Sequence, residues 1–310
     1  MGAHVVRALH DAGYEVRALV RTPGARLECE TVTGDLAHPG TLVPHLNGVR
    51  AVVHCAASYS FAPRDRAAMR RINVEGTAGL LEAARIAGVE RAVVTSSSAA
   101  LGPAHGERPA TEDDWAHSDG HAGYHASKLE QERAAFAGRL RITTVVPTAP
   151  VGPGDHKPTP TGKMIVDFAR GRMFAKPPLG GMNLVAVEDV ARMHVAALEL
   201  GADGERYIVG AENLTLDQIW ERLAGVTGKP VPRWRVPYAL ALAIAYGDEA
   251  RCRLRSNAVP FAPLEGVMMS RERMYADSSK AQRELGYAPQ PVEDALERSV
   301  RWYRDNGYLN

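Results

Sequence analysis

The stretch "GYHASKLEQ" holds Tyr124 and Lys128 four residues apart. On a helix that spacing puts both side chains on one face. A free phenol has a pKa of about 10, too high for a base at neutral pH. A nearby ammonium stabilises the phenolate and lowers that value. A tyrosine so placed can exchange a proton with a reacting hydroxyl or carbonyl oxygen. A solvated helix face also carries tyrosines and lysines, so the pair needs a context. Part of it lies upstream, where the apolar run "RAVVTSSS", Arg91 to Ser98, ends in three adjacent hydroxyls, Ser96, Ser97 and Ser98.

The elements that must position these groups alternate. Apolar residues at helical spacing predict a helix over Ala3 to Ala12, closed by Gly13. Strands are expected at Val16 to Val20, Glu30 to Val32, Val49 to Ala57, Arg91 to Ser98 and Arg141 to Pro147. Between them the pattern predicts helices at Pro39 to Leu46, at Arg64 to Ala87 with interruptions at Gly76 and Gly79, and from Tyr124 onward. Repeated βα units with short apolar strands imply an α/β fold, a parallel sheet covered on both faces. After Pro147 a proline- and glycine-rich loop leads into helices at 162–170, 188–200, 216–226, 281–285 and 292–306, with a strand at 205–210. We read residues 1–150 as one large α/β region and 151–310 as mostly a smaller C-terminal substrate lobe interleaved with it.

Composition narrows the partners. The chain has 310 residues, 45% of them apolar, with 37 basic and 36 acidic side chains. That balance gives no long-range steering towards nucleic acid or anionic surfaces. Cys29, Cys55 and Cys252 lie far apart, which fits a reducing, cytoplasmic setting without a disulfide framework. The longest apolar run, "VPYALALAIAY" (Val236 to Tyr246), is too short to cross a bilayer and reads as a buried lid helix, with contact to lipid by Pro237 to Tyr246 as the alternative. His117, His121 and His125 recur every four residues, but Asp119–Gly120 breaks a helix there and no carboxylate stands at a suitable interval, so no metal is expected.

"VVTSSSAALG" followed by "YHASK" resembles the extended short-chain dehydrogenase/reductase superfamily, the NAD-dependent epimerases and dehydratases. The resemblance implies a Rossmann-like doubly wound sheet and a serine–tyrosine–lysine trio for hydride transfer. Aligned back from Gly102, Ser97 takes the serine's place, with Tyr124 and Lys128 as the other two. The lysine also bonds the nicotinamide ribose in that family. "HCAA" places Ala56 and Ala57 along the cofactor, "GDL" places Asp35 and Leu36 at the adenine, and "VPTAP" places Pro147 and Thr148 beside the nicotinamide. "INVEGT" puts Asn73 on a supporting helix, and Asp189 is expected as a helix cap. The segments "VGPGDHKPTPTGKMIVDFARGRM" and "RELGYAPQPVEDALERSVRWYRDNGYL" are similar to the hopanoid-associated sugar epimerases, a branch near the dihydroflavonol reductases. An epimerase or reductase acting on a sugar-like or other small molecule follows, with a homodimer as the family's usual assembly.

Gly2, directly after Met1, fits the third glycine of the family's "TGxxGxxG". The first strand and two glycines are then not in this sequence, and the start is expected to lie about 15 residues into the family pattern. A shortened, cofactor-deficient protein serving as a binding or scaffolding subunit is the alternative reading. The second strand ends in Arg21, with no acid between Val16 and Leu27. An acid there favours NAD and an arginine pairs with a 2′-phosphate, so Arg21, aided by Arg26, points to NADP, with NAD as the alternative.

Overall fold

The structure, a computed structural model, describes residues 1–24, 27–102, 108–117, 123–173, 175–176, 180–255 and 258–310. Arg26 and His121 therefore lie outside the described residues. The first half runs α1 (Gly2–Asp11), β1 (Arg17–Val20), β2 (Glu30–Thr33), β3 (Ala51–His54), α2 (Arg66–Arg70), α3 (Gly76–Ile86), β4 (Arg91–Thr95), α4 (Tyr124–Phe136) and β5 (Arg141–Pro147). Then come β6 (Ala149–Val151), α5 (Pro160–Ala169), β7 (Ala175–Lys176), β8 (Gly181–Ala186), α6 (Val187–Leu200), β9 (Arg206–Val209), β10 (Glu212–Thr215) and α7 (Leu216–Thr227). The chain ends with β11 (Trp234–Arg235), α8 (Tyr238–Leu254), α9 (Leu264–Met269), β12 (Arg273–Met274), α10 (Ser279–Leu285) and α11 (Val292–Asp305).

Strands β3, β4, β5 and β9 form one parallel sheet in that order, and β1 pairs with β2 in parallel as a separate ribbon. Apolar residues of α1, α6 and α10 cover one face of the main sheet, with Val5, Leu9, Val190 and Leu285 packed on Val93 and Val145. On the other face α3 and α4 set Leu81 and Ala135 against Ala92, Val94 and Ile142. This is the Rossmann-like, doubly wound α/β architecture, with the β1–β2 ribbon standing apart from the main sheet. Between β1 and β3 lies a cleft of about 1350 Å³ walled by Leu19, Val20, Val52 and Val53. Leu19 stays 38% exposed there, an unusual state for a strand leucine.

A second sheet, β10–β8–β12 with β6 on β8, anchors the C-terminal lobe. Its core stacks Phe168 on Trp220 and includes Ile165, Leu184, Leu296 and Tyr303.

Four expectations are corrected. Residues 39–46 form two 3₁₀ turns, Pro39–Thr41 and Val43–Leu46, each with a proline in its opening turn; proline suits a first turn and interrupts a longer helix. Gly76 and Gly79 do not interrupt their helix. They let it approach closely, since a Cβ on Gly76 would meet Leu36 at 3.0 Å and one on Gly79 would meet Pro39 at 2.5 Å. Asp189 is not a cap: Ala186 holds that position, and the buried carboxylate accepts Gln290 N–H at 2.8 Å, Gln290 Nε2 at 2.9 Å, and Arg192. The apolar run 236–246 is helical but not a buried lid, because Leu240, Ile244 and Tyr246 face outward. No described helix is long and apolar enough to cross a membrane.

Candidate active site

Strand β4 delivers its hydroxyls at the carboxyl edge of the sheet, where open α/β folds bind ligands. Ser97 is extended and starts a short 3₁₀ turn, its Oγ accepting Ala99 N–H at 3.2 Å. Gly123, at φ 85°, then turns the chain into α4; a side chain there would be strained. The turn brings the Tyr124 phenol close enough to Ser97 for the serine hydroxyl to favour the phenolate. Ser96 and Ser98 do not share that contact; the Ser96 hydroxyl donates to buried Glu132 at 2.8 Å.

One turn on, Lys128 is buried, its Nζ donating to Thr95 O at 2.9 Å and to Gln131 Oε1. An ammonium has three protons, so one remains for a ligand hydroxyl once these two bonds are made. Burial draws the lysine down to about 8, opposed by the Glu132 carboxylate, which leaves it a cation at neutral pH. Gln131 passes the network on: its Nε2 donates to Thr77 Oγ1 at 3.0 Å, and Thr77 lies 2.8 Å from His54 Nε2. His54, buried beside Lys128, is pushed down to about 3 and is neutral.

The phenol departs from the sequence expectation. Burial pushes Tyr124 above the ordinary tyrosine value, the Ser97 hydrogen bond pulls it back, and the Glu265 carboxylate pushes it up again. Lys128, turned to Thr95 and Gln131, does not offset this. The protein alone thus holds Tyr124 as a neutral phenol, a proton donor.

Behind the trio, Asn73 sits fully buried in a single π turn, Arg71–Glu75. Such turns are frequent at functional sites because they re-aim a side chain. Asn73 accepts Ser58 N–H at 2.7 Å and donates to Ser58 O at 2.9 Å and to Ser127 Oγ at 3.0 Å, joining the loop after β3 to α4. Tyr59 of that loop packs edge-on to Tyr124, centroids 4.5 Å apart, and Phe61 packs on Tyr59 at 5.1 Å.

Of the residues expected to hold a cofactor, Gly2, Arg21, Asp35, Leu36, Ala56 and Ala57 converge on the cleft between β1 and β3. Asp35 also makes a local turn, accepting Ala37 N–H at 2.9 Å. Pro147 and Thr148 are not part of that wall; Thr148 is buried and its hydroxyl donates to Asn183 Oδ1 at 2.9 Å. The cleft fits a dinucleotide. Its wall includes the small side chains of Ala56 and Ala57 and, at Gly2, the N-terminus of α1, which has no side-chain cap. His125, one of the three spaced histidines, hydrogen-bonds Glu265.

Glu265, Gln131 and Tyr59 had no role in the sequence reading. Gln131 carried a usable signal, since it stands three residues beyond Lys128 on the same face. Glu265 carried none, being 140 residues from its partner.

With this geometry in place, the comparisons define the class. Residues 1–210 match the NAD dependent epimerase/dehydratase family, and the chain belongs to it. Over its whole length it is 38% identical to a putative dihydroflavonol 4-reductase of Synechocystis, covering 93% of that protein. It is also 34% identical to sterol demethylase protein B of Methylococcus capsulatus, covering 97% of it. Among solved structures, a nucleoside-diphosphate-sugar epimerase from Pseudomonas aeruginosa superposes with a TM-score of 0.81 at 26% identity, covering all of this chain and 95% of that one. The chain is thus an enzyme by family, of the extended short-chain dehydrogenase/reductase type.

Proposed function

We propose that the chain is an NAD(P)-dependent oxidoreductase or epimerase acting at a secondary alcohol or its ketone, with Tyr124 as acid/base. The observation that carries this reading is the buried Lys128 ammonium, fixed by Thr95 O at the end of β4 and by Gln131, one helical turn from Tyr124 on the same helix. A bound nicotinamide would supply or accept the hydride. In the reducing direction the Tyr124 phenol gives its proton to the carbonyl oxygen as that oxygen becomes a hydroxyl. Ser97 donates a hydrogen bond to the same oxygen and fixes its position. Lys128, braced by Thr95 and Gln131, presents its third proton to the ribose and keeps a positive charge near the phenolate that forms. In the oxidising direction the same groups run in reverse.

The aromatic pair Tyr59 and Phe61 beside Tyr124 supports a substrate with an apolar face, such as a ring system, over one that is polar on all sides. The names of the two curated relatives, a dihydroflavonol reductase and a sterol protein, are in keeping with that. The test is isotopic. Cofactor deuterated at the nicotinamide C4 is incubated with the protein and a panel of cyclic ketones. Deuterium at the carbinol carbon of a product supports the reading. Consumption of ketone without label in the product overturns it.

A further inference from the structure

Helix α8 is apolar on its inward side at Leu242, Ala245 and Cys252, yet it also exposes apolar side chains and buries its acids. Its outward face carries Leu240, Ala243, Ile244, Gly247, Ala250 and Leu254, at helical spacing and all exposed. Leu240 is 53% exposed, Tyr246 56% and Leu254 86%. Its acids point inward. Asp248 is buried and accepts Phe261 and Ala262 N–H at 2.8 and 2.9 Å, and Arg251 at 2.6 Å. Glu249 is buried and accepts Arg66 at 3.2 Å and Arg253 at 3.0 Å. A surface helix ordinarily does the reverse, burying its apolar stripe and exposing its charges. A contiguous exposed apolar face of this kind marks a contact surface.

The charges nearby identify what covers it. Of the five arginines in residues 231–262, Arg235, Arg251 and Arg253 pair with Asp217, Asp248 and Glu249. Arg253 and Arg255 flank Leu254 at one end of the helix and are exposed. At the other end Arg271 lies over the Tyr238 ring, 4.7 Å from its centroid. The outward surface is apolar along its length and cationic at both ends. We propose that α8 is a membrane-docking helix that lies flat in the interface of an anionic lipid bilayer. Its 17 residues span about 25 Å, its leucine–isoleucine face enters the acyl boundary, and its terminal arginines meet lipid phosphates. A second copy fits less well, because antiparallel pairing of this face would set arginines at each end against arginines.

The helix is close to the candidate site. Arg66, which holds Glu249, precedes the helical segment bearing Asn73, and α9, packed on α8, supplies Glu265 to the residue after Tyr124. The inference does not rest on the hydride-transfer reading and stands or fails separately.

The test is cosedimentation of the full chain with vesicles of phosphatidylglycerol and phosphatidylcholine, and with phosphatidylcholine alone. The wild type is expected in the vesicle pellet with the mixed lipid, less with the neutral lipid, and progressively less as salt is added. L240Q/I244Q, checked for unchanged melting by circular dichroism, is expected to lose about tenfold in partitioning. Absence of wild-type binding to the mixed vesicles overturns the proposal. So does equal binding to both lipids, or a wild-type dimer by light scattering that L240Q/I244Q converts to monomer without a change in sedimentation.

Discussion

Glu265, on α9, accepts the backbone N–H of His125 at 3.0 Å, so a carboxylate from the C-terminal half caps the helix that begins with Tyr124. Helix α4 has no side-chain cap of its own sequence, since Gly123 precedes it. The same carboxylate also engages the His125 ring and pushes both Tyr124 and Tyr59 upward. Arg66 is the cation nearby, its Nε 3.5 Å from where a Gly123 Cβ would be. The contact therefore couples the two halves of the chain to the acidity of the phenol.

Glu265→Gln keeps an acceptor for the His125 N–H and removes the charge. The Tyr124 phenol then ionises at lower pH. For alcohol oxidation, where phenolate is the active form, the rising limb of the pH–rate profile should move to lower pH. A limb that stays in place while the rate falls would make Glu265 purely structural.

His54 gives a stability signature. Its pKa is depressed to about 3 by burial, then by the Lys128 charge, from an ordinary 6.5. Between those values the unfolded chain binds a proton that the folded chain does not, so folded stability falls as pH falls below about 6.5. The slope this group contributes is up to roughly 1.4 kcal/mol per pH unit. Urea melts of wild type and His54→Gln at pH 7 and pH 5 should show a smaller acid loss in the variant. Parallel losses would mean that His54 is solvated or protonated in the fold.

Arg206 and Glu132 form a buried ion pair 2.9 Å long. Glu132 also takes the hydroxyls of Ser96 and Thr144, and Arg206 lies 3.7 Å from the centre of the Trp115 ring. The pair fixes α4 one turn beyond Lys128. Arg206→Met leaves a buried carboxylate without its cation and should cost about 3–5 kcal/mol in a urea titration. A loss below about 1 kcal/mol would place the pair in the class of exposed bridges.

We propose that cofactor choice turns on Arg21, exposed just after β1 and on the cleft wall. A guanidinium there pairs with a 2′-phosphate. NADPH is expected to bind more tightly than NADH, and Arg21→Ala should weaken NADPH by about tenfold or more with little effect on NADH. Calorimetric or fluorescence titrations giving equal losses, or a wild-type preference for NADH, would contradict the assignment.

Much of this site was legible because its signals are local. The Tyr124–Lys128 spacing foretold helix α4, and the apolar runs foretold β4 and β5 with the hydroxyls at the strand end. What escaped depends on distance in sequence. Strand β6 hides in a proline-rich loop because its partner is β8, more than thirty residues on. Strands of two residues, such as β7 and β12, have no periodicity to read. The 39–46 segment misled because its leucines are helically spaced while its prolines allow only short 3₁₀ turns. Asp189 misled because a first-turn acid usually faces solvent, whereas here Gln290 folds over it. The apolar 236–246 run was read as buried because apolarity alone predicts burial; only the inward aim of Asp248 and Glu249 shows which face is out.

The most direct measurement separates chemistry from binding at Tyr124. Tyr124→Phe removes one oxygen and leaves the ring packed on Tyr59. With NADPH and a ketone that the wild type reduces, the variant should lose about 10²- to 10⁴-fold in kcat, the range of a lost general acid, while its NADPH Kd stays within about twofold. Retention of kcat, or a loss of turnover matched by an equal loss of cofactor affinity, would contradict the account.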